Sequence, residues 1–227
     1  MQTQDKVQFW NNKILGWEQT RYAGNTEGEA VLEKLVKGGG GSVRNRLHIA
    51  ADLLRPHLRG KTLLDVGCGS GLLFHCLAGC GAARFIGIDL APAAVEKART
   101  LAAQTLLEPA TFLSGSACDL SLPDFDIVSG LGVLDWFSDD EMDRFFTRIR
   151  GKRFLLSISE RRRSVSQFLH RFYVFIAYGW RIRAYTPRYD DTASIITRLE
   201  AHGFANIQVI RDRRLSFGVL LHNLPRT

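Results

Sequence analysis

The apolar positions of this chain fall into short unbroken runs separated by stretches with helical spacing. Residues 61–66, 84–89, 110–113, 125–129 and 154–158 are compact apolar runs, each reading as a strand buried on both faces. Between them lie helix-like stretches at 72–79, at 93–104 with Pro92 in the first turn, and at 138–150. A helix over 43–58 precedes the first strand; Ser42 caps it, and Leu47, Ala50, Ala51, Leu54 and Leu58 recur on one face. Towards the end, 191–202 reads as a helix, and 207–210 and 216–222 as strands that can pair as an antiparallel edge hairpin. Strands alternating with helices of this length predict an α/β fold. Its central sheet is mostly parallel and seven-stranded, with helices on both faces.

Residues 1–42 stand apart from this alternation. They read as one or two helices, with Phe9, Trp10, Trp17 and Tyr22 set among charges, and end in Gly38-Gly39-Gly40-Gly41-Ser42, a hinge by composition. The expected organisation is a helical cap and hinge over 1–42, then one domain over 43–227.

Composition narrows the class. A chain of 227 residues, 45% hydrophobic and 23% charged, buries a full core and excludes wholesale disorder and small disulfide scaffolds. Four cysteines and an N-terminus without a charged-then-apolar leader pattern point to thiols in a reducing, cytoplasmic setting. No run is long and apolar enough to span a membrane. Cys76 and Cys80 are four residues apart, yet no convergent histidine completes a metal site, so no metal is expected. The net charge of +7 is unevenly placed. Residues 144–189 hold twelve Lys/Arg and one acid, Glu160, a net +11 that leaves −4 for the rest.

The stretch richest in chemistry is Leu63-Leu64-Asp65-Val66-Gly67-Cys68-Gly69-Ser70-Gly71, a strand ending in an acid and three glycines at alternate positions. Dinucleotide sites need G-x-G-x-x-G and a phosphate-binding loop needs a lysine; neither pattern is met. The run Asp65-x-Gly67-x-Gly69-x-Gly71 resembles the first motif of the class I S-adenosylmethionine (SAM)-dependent methyltransferases, and the resemblance covers about 47–203 at fold level. It implies a Rossmann-like fold, SAM as cofactor, and a glycine turn against the amino-acid part of SAM. It also implies a ribose-binding acid at the end of the second strand, a slot that Asp89 fills beside Leu90. An adenine-binding acid is usual after the third strand. Here Ser116 takes that slot, with Ala117 beside it and Asp119 three residues on, so either Ser116 makes the contact or Asp119 reaches back. Gly130 and Leu131, after the fourth strand, resemble the loop lining the methyl-transfer pocket.

The acceptor side is less marked. Nucleic-acid amino-methyltransferases usually carry Asn/Asp-Pro-Pro-Tyr/Phe after the fourth strand, and its absence argues against a base amino group and a nucleic-acid partner. The insert over 160–189 carries the basic residues and an aromatic face of Phe168, Phe172, Phe175 and Ile176. It reads as a lid over a flat or apolar substrate, as an anionic-membrane contact, or as a core-packing helix with a solvated rim. His170, Tyr173 and Asp135 are the candidate catalytic groups, although His170 can also be a packing histidine and Asp135 a helix cap. Trp17, Tyr22, Trp136, Arg162 and Arg163 are the candidate substrate contacts. An aromatic insert followed by basic residues is similar in layout to the Mg-protoporphyrin O-methyltransferases. The expectation is therefore methylation, mainly O-methylation, of a small acidic or planar metabolite. An RNA methyltransferase and a non-catalytic SAM-binding module are the rivals.

Overall fold

The computed structural model describes residues 3–22, 41–105, 108–162 and 187–226. Helix α1 (Thr3–Tyr22) is followed by α2 (Gly41–Leu54), β1 (Thr62–Val66), α3 (Leu72–Leu77), β2 (Arg84–Asp89), α4 (Pro92–Thr105) and β3 (Ala110–Ser114). Then come β4 (Ile127–Leu131), α5 (Asp139–Arg148), β5 (Arg153–Ser159), α6 (Thr192–Ala201), β6 (Gln208–Ile210) and β7 (Gly218–His222).

The seven strands form one sheet in the order β3-β2-β1-β4-β5-β7-β6. The first five are parallel, β7 lies antiparallel beside β5, and β6 pairs antiparallel with β7 at the edge. The chain leaves β1 for β2 on one side and returns to β4 on the other. The crevice at the carboxyl ends of β1 and β4 is the usual ligand position of such sheets.

Each sheet face carries its own apolar layer. Leu47 and Leu54 of α2, Phe74 of α3 and Val95 of α4 pack on one face with Leu63, Phe85 and Leu155. Phe145 and Phe146 of α5 and Ile195 and Leu199 of α6 pack on the other with Leu64, Ile86 and Leu156. Helix α5 starts with a capping box, in which Ser138 accepts from the Glu141 N–H and Glu141 accepts from the Ser138 N–H.

Two boundaries differ from the sequence reading. Gly41 and Ser42 lie inside the first turn of α2 instead of in a hinge, and Gly38 to Gly40 lie outside the described residues. The helix expected to reach residue 58 ends at Leu54 and tightens into a 3-10 turn, Arg55–His57. Pro56 has no N–H to continue the helical ladder, which is the reason.

Helix α1 lies across the carboxyl end of the sheet. Phe9 and Ile14 are buried, and Ile14 packs on Ala91 and Ala94 at the start of α4. Trp10 meets Trp136 edge-on at 4.7 Å between ring centroids. The Asn11 side chain accepts from the Ala93 N–H at 2.8 Å, and Lys6 pairs with Glu141 at 2.6 Å. Apolar burial and a shielded ion pair thus fix α1 where the strands end.

Candidate functional site

The glycine turn between β1 and α3 is built by backbone geometry. Gly67 and Cys68 both donate their N–H to the Ile88 carbonyl, so the turn is stitched to the end of β2. Gly69 has a φ of 53° and Gly71 a φ of 81°. These left-handed conformations suit glycine. Gly69 has a second reason: a Cβ there would overlap Oε1 of Glu18.

Asp89 closes the turn from β2. Its Oδ2 accepts from the Gly69 N–H at 2.9 Å and its Oδ1 from the Ala91 N–H at 2.8 Å. Burial pushes its carboxyl above the ordinary aspartate range, and the backbone N–H groups of Ala91 and Gly69 pull the other way. Asp65 lies one strand over, with Oδ1 accepting from the Ser129 hydroxyl at 2.7 Å. Burial raises it to about 7, against the pull of Ser129 and with the help of the Asp89 charge. The buried Cys68 thiol is pushed well above its usual value, first by burial and then by Asp89, Asp65 and Glu18. An inert thiol follows, since the thiolate is the reactive form.

The sequence gives no sign of Glu18 as a site residue. It lies on α1, and only the docking of that helix brings its carboxylate to the glycine turn. Its Oε1 accepts from the Ser70 N–H at 2.8 Å, across 52 positions of chain.

The turn after β3 has mostly local duties. Ser116 accepts from the Cys118 N–H with its hydroxyl and from the Asp119 and Leu120 N–H groups with its carbonyl. Ala117 is buried. Asp119 pairs with Arg144 at 2.9 Å on the surface. That pairing directs the Asp119 carboxylate towards α5, whereas Ser116 stays beside Asp89 through the Gly115 N–H, which donates to the Asp89 carbonyl at 2.8 Å.

Gly130 and Leu131, expected just after the fourth strand, lie within β4, where Gly130 is buried; the chain then turns at Gly132, against which the Arg46 guanidinium of α2 is pressed. Asp135, in the 3-10 turn Leu134–Trp136, is buried; its two oxygens accept from the N–H and hydroxyl of Ser159, both at 2.8 Å. Burial raises it to about 6, while the Arg46 charge and the Ser159 bonds oppose that rise. Both oxygens tie this loop to the end of β5.

Both roots of the 160–189 insert are described. The backbone bridges Glu160 to Asp190 in parallel fashion, and the Arg161 N–H donates to the Asp190 carbonyl. Arg188 donates its N–H to the Asp135 carbonyl at 2.7 Å, and its guanidinium holds Asp190 and Asp139. Arg162 pairs with Glu160 at 2.9 Å and donates to the Ser216 carbonyl. Burial disfavours the Glu160 charge, but hydrogen bonds from Arg211, Thr192 and Arg162 outweigh it and hold the carboxyl at about 2. Arg163, His170 and Tyr173, and the side chains of Trp17 and Tyr22, lie outside the described residues.

The sheet therefore brings together Asp65, Gly67, Cys68, Gly69, Gly71, Asp89, Leu90 and Ser116, with Gly130, Leu131 and Trp136 across the crevice. Among the described residues no group of three or more His, Cys, Asp or Glu is arranged to hold a metal ion. None of the described helices is long and apolar enough to cross a membrane.

Comparison with known proteins agrees with this geometry. Residues 63–151 match the family described as a methyltransferase domain. Over 42 residues the chain is 55% identical to the ribosomal protein L11 methyltransferase of Tolumonas auensis. That stretch is 18% of this chain and 14% of the relative's length. The magnesium protoporphyrin IX methyltransferase from Synechocystis, solved with S-adenosylhomocysteine (SAH) bound, has a similar structure, with a TM-score of 0.69 and 20% identity over 97% of this chain and 98% of that one. A possible exported protein from Bordetella parapertussis has a TM-score of 0.70 at 20% identity, over 92% of this chain and 78% of that one.

Proposed function

Since residues 63–151 place the chain among the class I SAM-dependent methyltransferases, whose cofactor is SAM, we propose that it transfers the methyl group to an oxygen of a small acidic or planar molecule. The observation that carries the cofactor assignment is the junction of β1 and β2. A Cβ-free turn at Gly69 lies beside a buried Asp89 carboxylate, with Asp65 on the next strand. These residues fit the cofactor: Asp89 can accept hydroxyl hydrogen bonds, and the carboxylates suit a cation.

SAM supplies a methyl group already activated by the sulfonium charge. The protein's share is to align the acceptor in line with the methyl and to exclude water. Helix α1 contributes the exclusion, with Trp10 on Trp136 roofing the loop after β4. Arg46, at Gly132, puts a positive charge at that loop, which suits an acceptor bearing a carboxylate. In the sequence the insert carries Arg163, His170 and Tyr173, the candidate groups for binding and activating the acceptor. A hydroxyl acceptor needs a base such as His170 or Tyr173, whereas a carboxylate acceptor needs none. The magnesium protoporphyrin IX methyltransferase, similar over 98% of its own length, supports a planar acceptor in this arrangement.

The test is incubation of the full chain with methyl-labelled SAM, a panel of planar and macrocyclic carboxylic acids, and bulk RNA. A base-labile labelled methyl ester in the small-molecule fraction is expected. Label in RNA alone, or none anywhere, overturns the acceptor assignment.

A further inference from the structure

Three carboxylates gather at the glycine turn, and among the described residues none is paired with a Lys or Arg. Asp89 holds the N–H groups of Gly69 and Ala91, and Asp65 takes the Ser129 hydroxyl. The third is Glu18, 6% exposed. One of its oxygens accepts from the Ser70 N–H, and the other, Oε2, is buried with no hydrogen-bond partner among the described residues. The charges that bear on Cys68 from Asp89, Asp65 and Glu18 are all negative. A buried carboxylate oxygen without a donor is costly, and most costly where its neighbours are also anionic. Such an arrangement becomes favourable when a cation with several N–H donors enters it.

We propose that Glu18 binds the ammonium of the cofactor's amino-acid arm, and so makes the N-terminal helix part of the cofactor site. The assignment rests on the SAM reading above. Three observations converge on it. Oε1 sits against Gly69, whose missing Cβ makes the space for it. Oε2 is the unpaired acceptor, and an ammonium brings three donors. The anionic surroundings repel the carboxylate end of the same arm, so they select its ammonium. A consequence is linkage: a ligand that carries the ammonium stabilises the docked position of α1, and a ligand without it does not.

The experiment is calorimetry of the full chain and of Glu18→Gln with two ligands. SAH carries the ammonium; methylthioadenosine keeps the nucleoside and lacks the amino-acid arm. Glu18→Gln should weaken SAH binding at least tenfold and leave methylthioadenosine within twofold of the parent, which also shows that the variant is folded. Glu18→Ala should follow the same split. Equal SAH affinity in parent and variant overturns the assignment. So does tighter SAH binding, which would make Glu18 a plug, and so does an equal loss of both ligands, which would make its role structural. A parent chain that binds neither ligand overturns the SAM reading itself, and the Glu18 assignment with it.

Discussion

Ser129, on β4, donates its hydroxyl to Oδ1 of Asp65, on the neighbouring strand β1, at 2.7 Å. That bond favours the charged carboxylate, while burial disfavours it and holds the group at about 7. The unfolded chain ionises Asp65 near its ordinary value, so between about pH 4 and pH 7 it releases a proton that the folded chain keeps. Stability from this group therefore falls as pH rises through that window and levels off above about 7. Asp65→Asn should flatten the fall, as read by urea unfolding at pH 5 and pH 8. SAH binding should strengthen as pH rises through about 7 in the parent and lose that dependence in Asp65→Asn. Ser129→Ala should cost about 1–3 kcal/mol at pH 8 and less at pH 5, where Asp65 is neutral.

Gly69→Ala should damage the site more than the fold. The new methyl meets Glu18 Oε1 and sits at a φ of 53°, a backbone region that costs alanine about 1 kcal/mol. The expected result is a stability loss of that order with at least a tenfold loss of SAH affinity by calorimetry. Wild-type affinity would mean that the turn does not face the cofactor.

Removal of residues 1–37 takes away Phe9, Ile14, the Lys6–Glu141 pair and Glu18 together. The shortened chain should bind SAH more weakly and show no turnover, while its far-ultraviolet dichroism still reports the α/β core. Unchanged affinity and turnover would reject the role given to the cap.

Arg188 joins the end of the insert to the loop after β4 and to α5. Arg188→Ala leaves the buried Asp190 without its cation and should destabilise the chain by about 1–3 kcal/mol in thermal or urea unfolding. Arg188→Lys should recover only part of this, because an ammonium cannot hold Asp190, Asp139 and the Phe137 carbonyl at once.

The strands and the glycine turn were legible because their signals are local. Four of the parallel strands are largely buried apolar runs, whereas β3, expected to be buried too, is a half-buried strand at the sheet edge; Asp65 to Gly71 and Asp89 stand where such strands end. The edge hairpin was legible too, with β7 lying between β5 and β6. The two departures at α2 are also local in cause: Pro56 stops the helix, and Gly41 and Ser42 join its first turn once the helix packs on the sheet. Glu18 and Arg46 were not legible. Each sits on a helix that precedes the motif, with nothing about it to distinguish a solvent-facing charge. Only docking brings Glu18 to Ser70, 52 positions on, and Arg46 to Gly132. Asp119 shows the reverse case, an acid near the expected adenine slot whose carboxylate is held by Arg144. The acceptor side was least legible, because the candidates for it share no motif, and Arg163, His170 and Tyr173 lie outside the described residues.

Calorimetric titration of the full chain and of Asp89→Ala with SAH tests the cofactor site most directly. Asp89 holds the Gly69 N–H of the turn with one oxygen and the Ala91 N–H with the other, and it is the acid proposed for the ribose hydroxyls. The parent should bind one SAH per chain, and the variant should lose at least tenfold in affinity. Equal heats from the two proteins, or none from the parent, would contradict the assignment of this crevice to SAM.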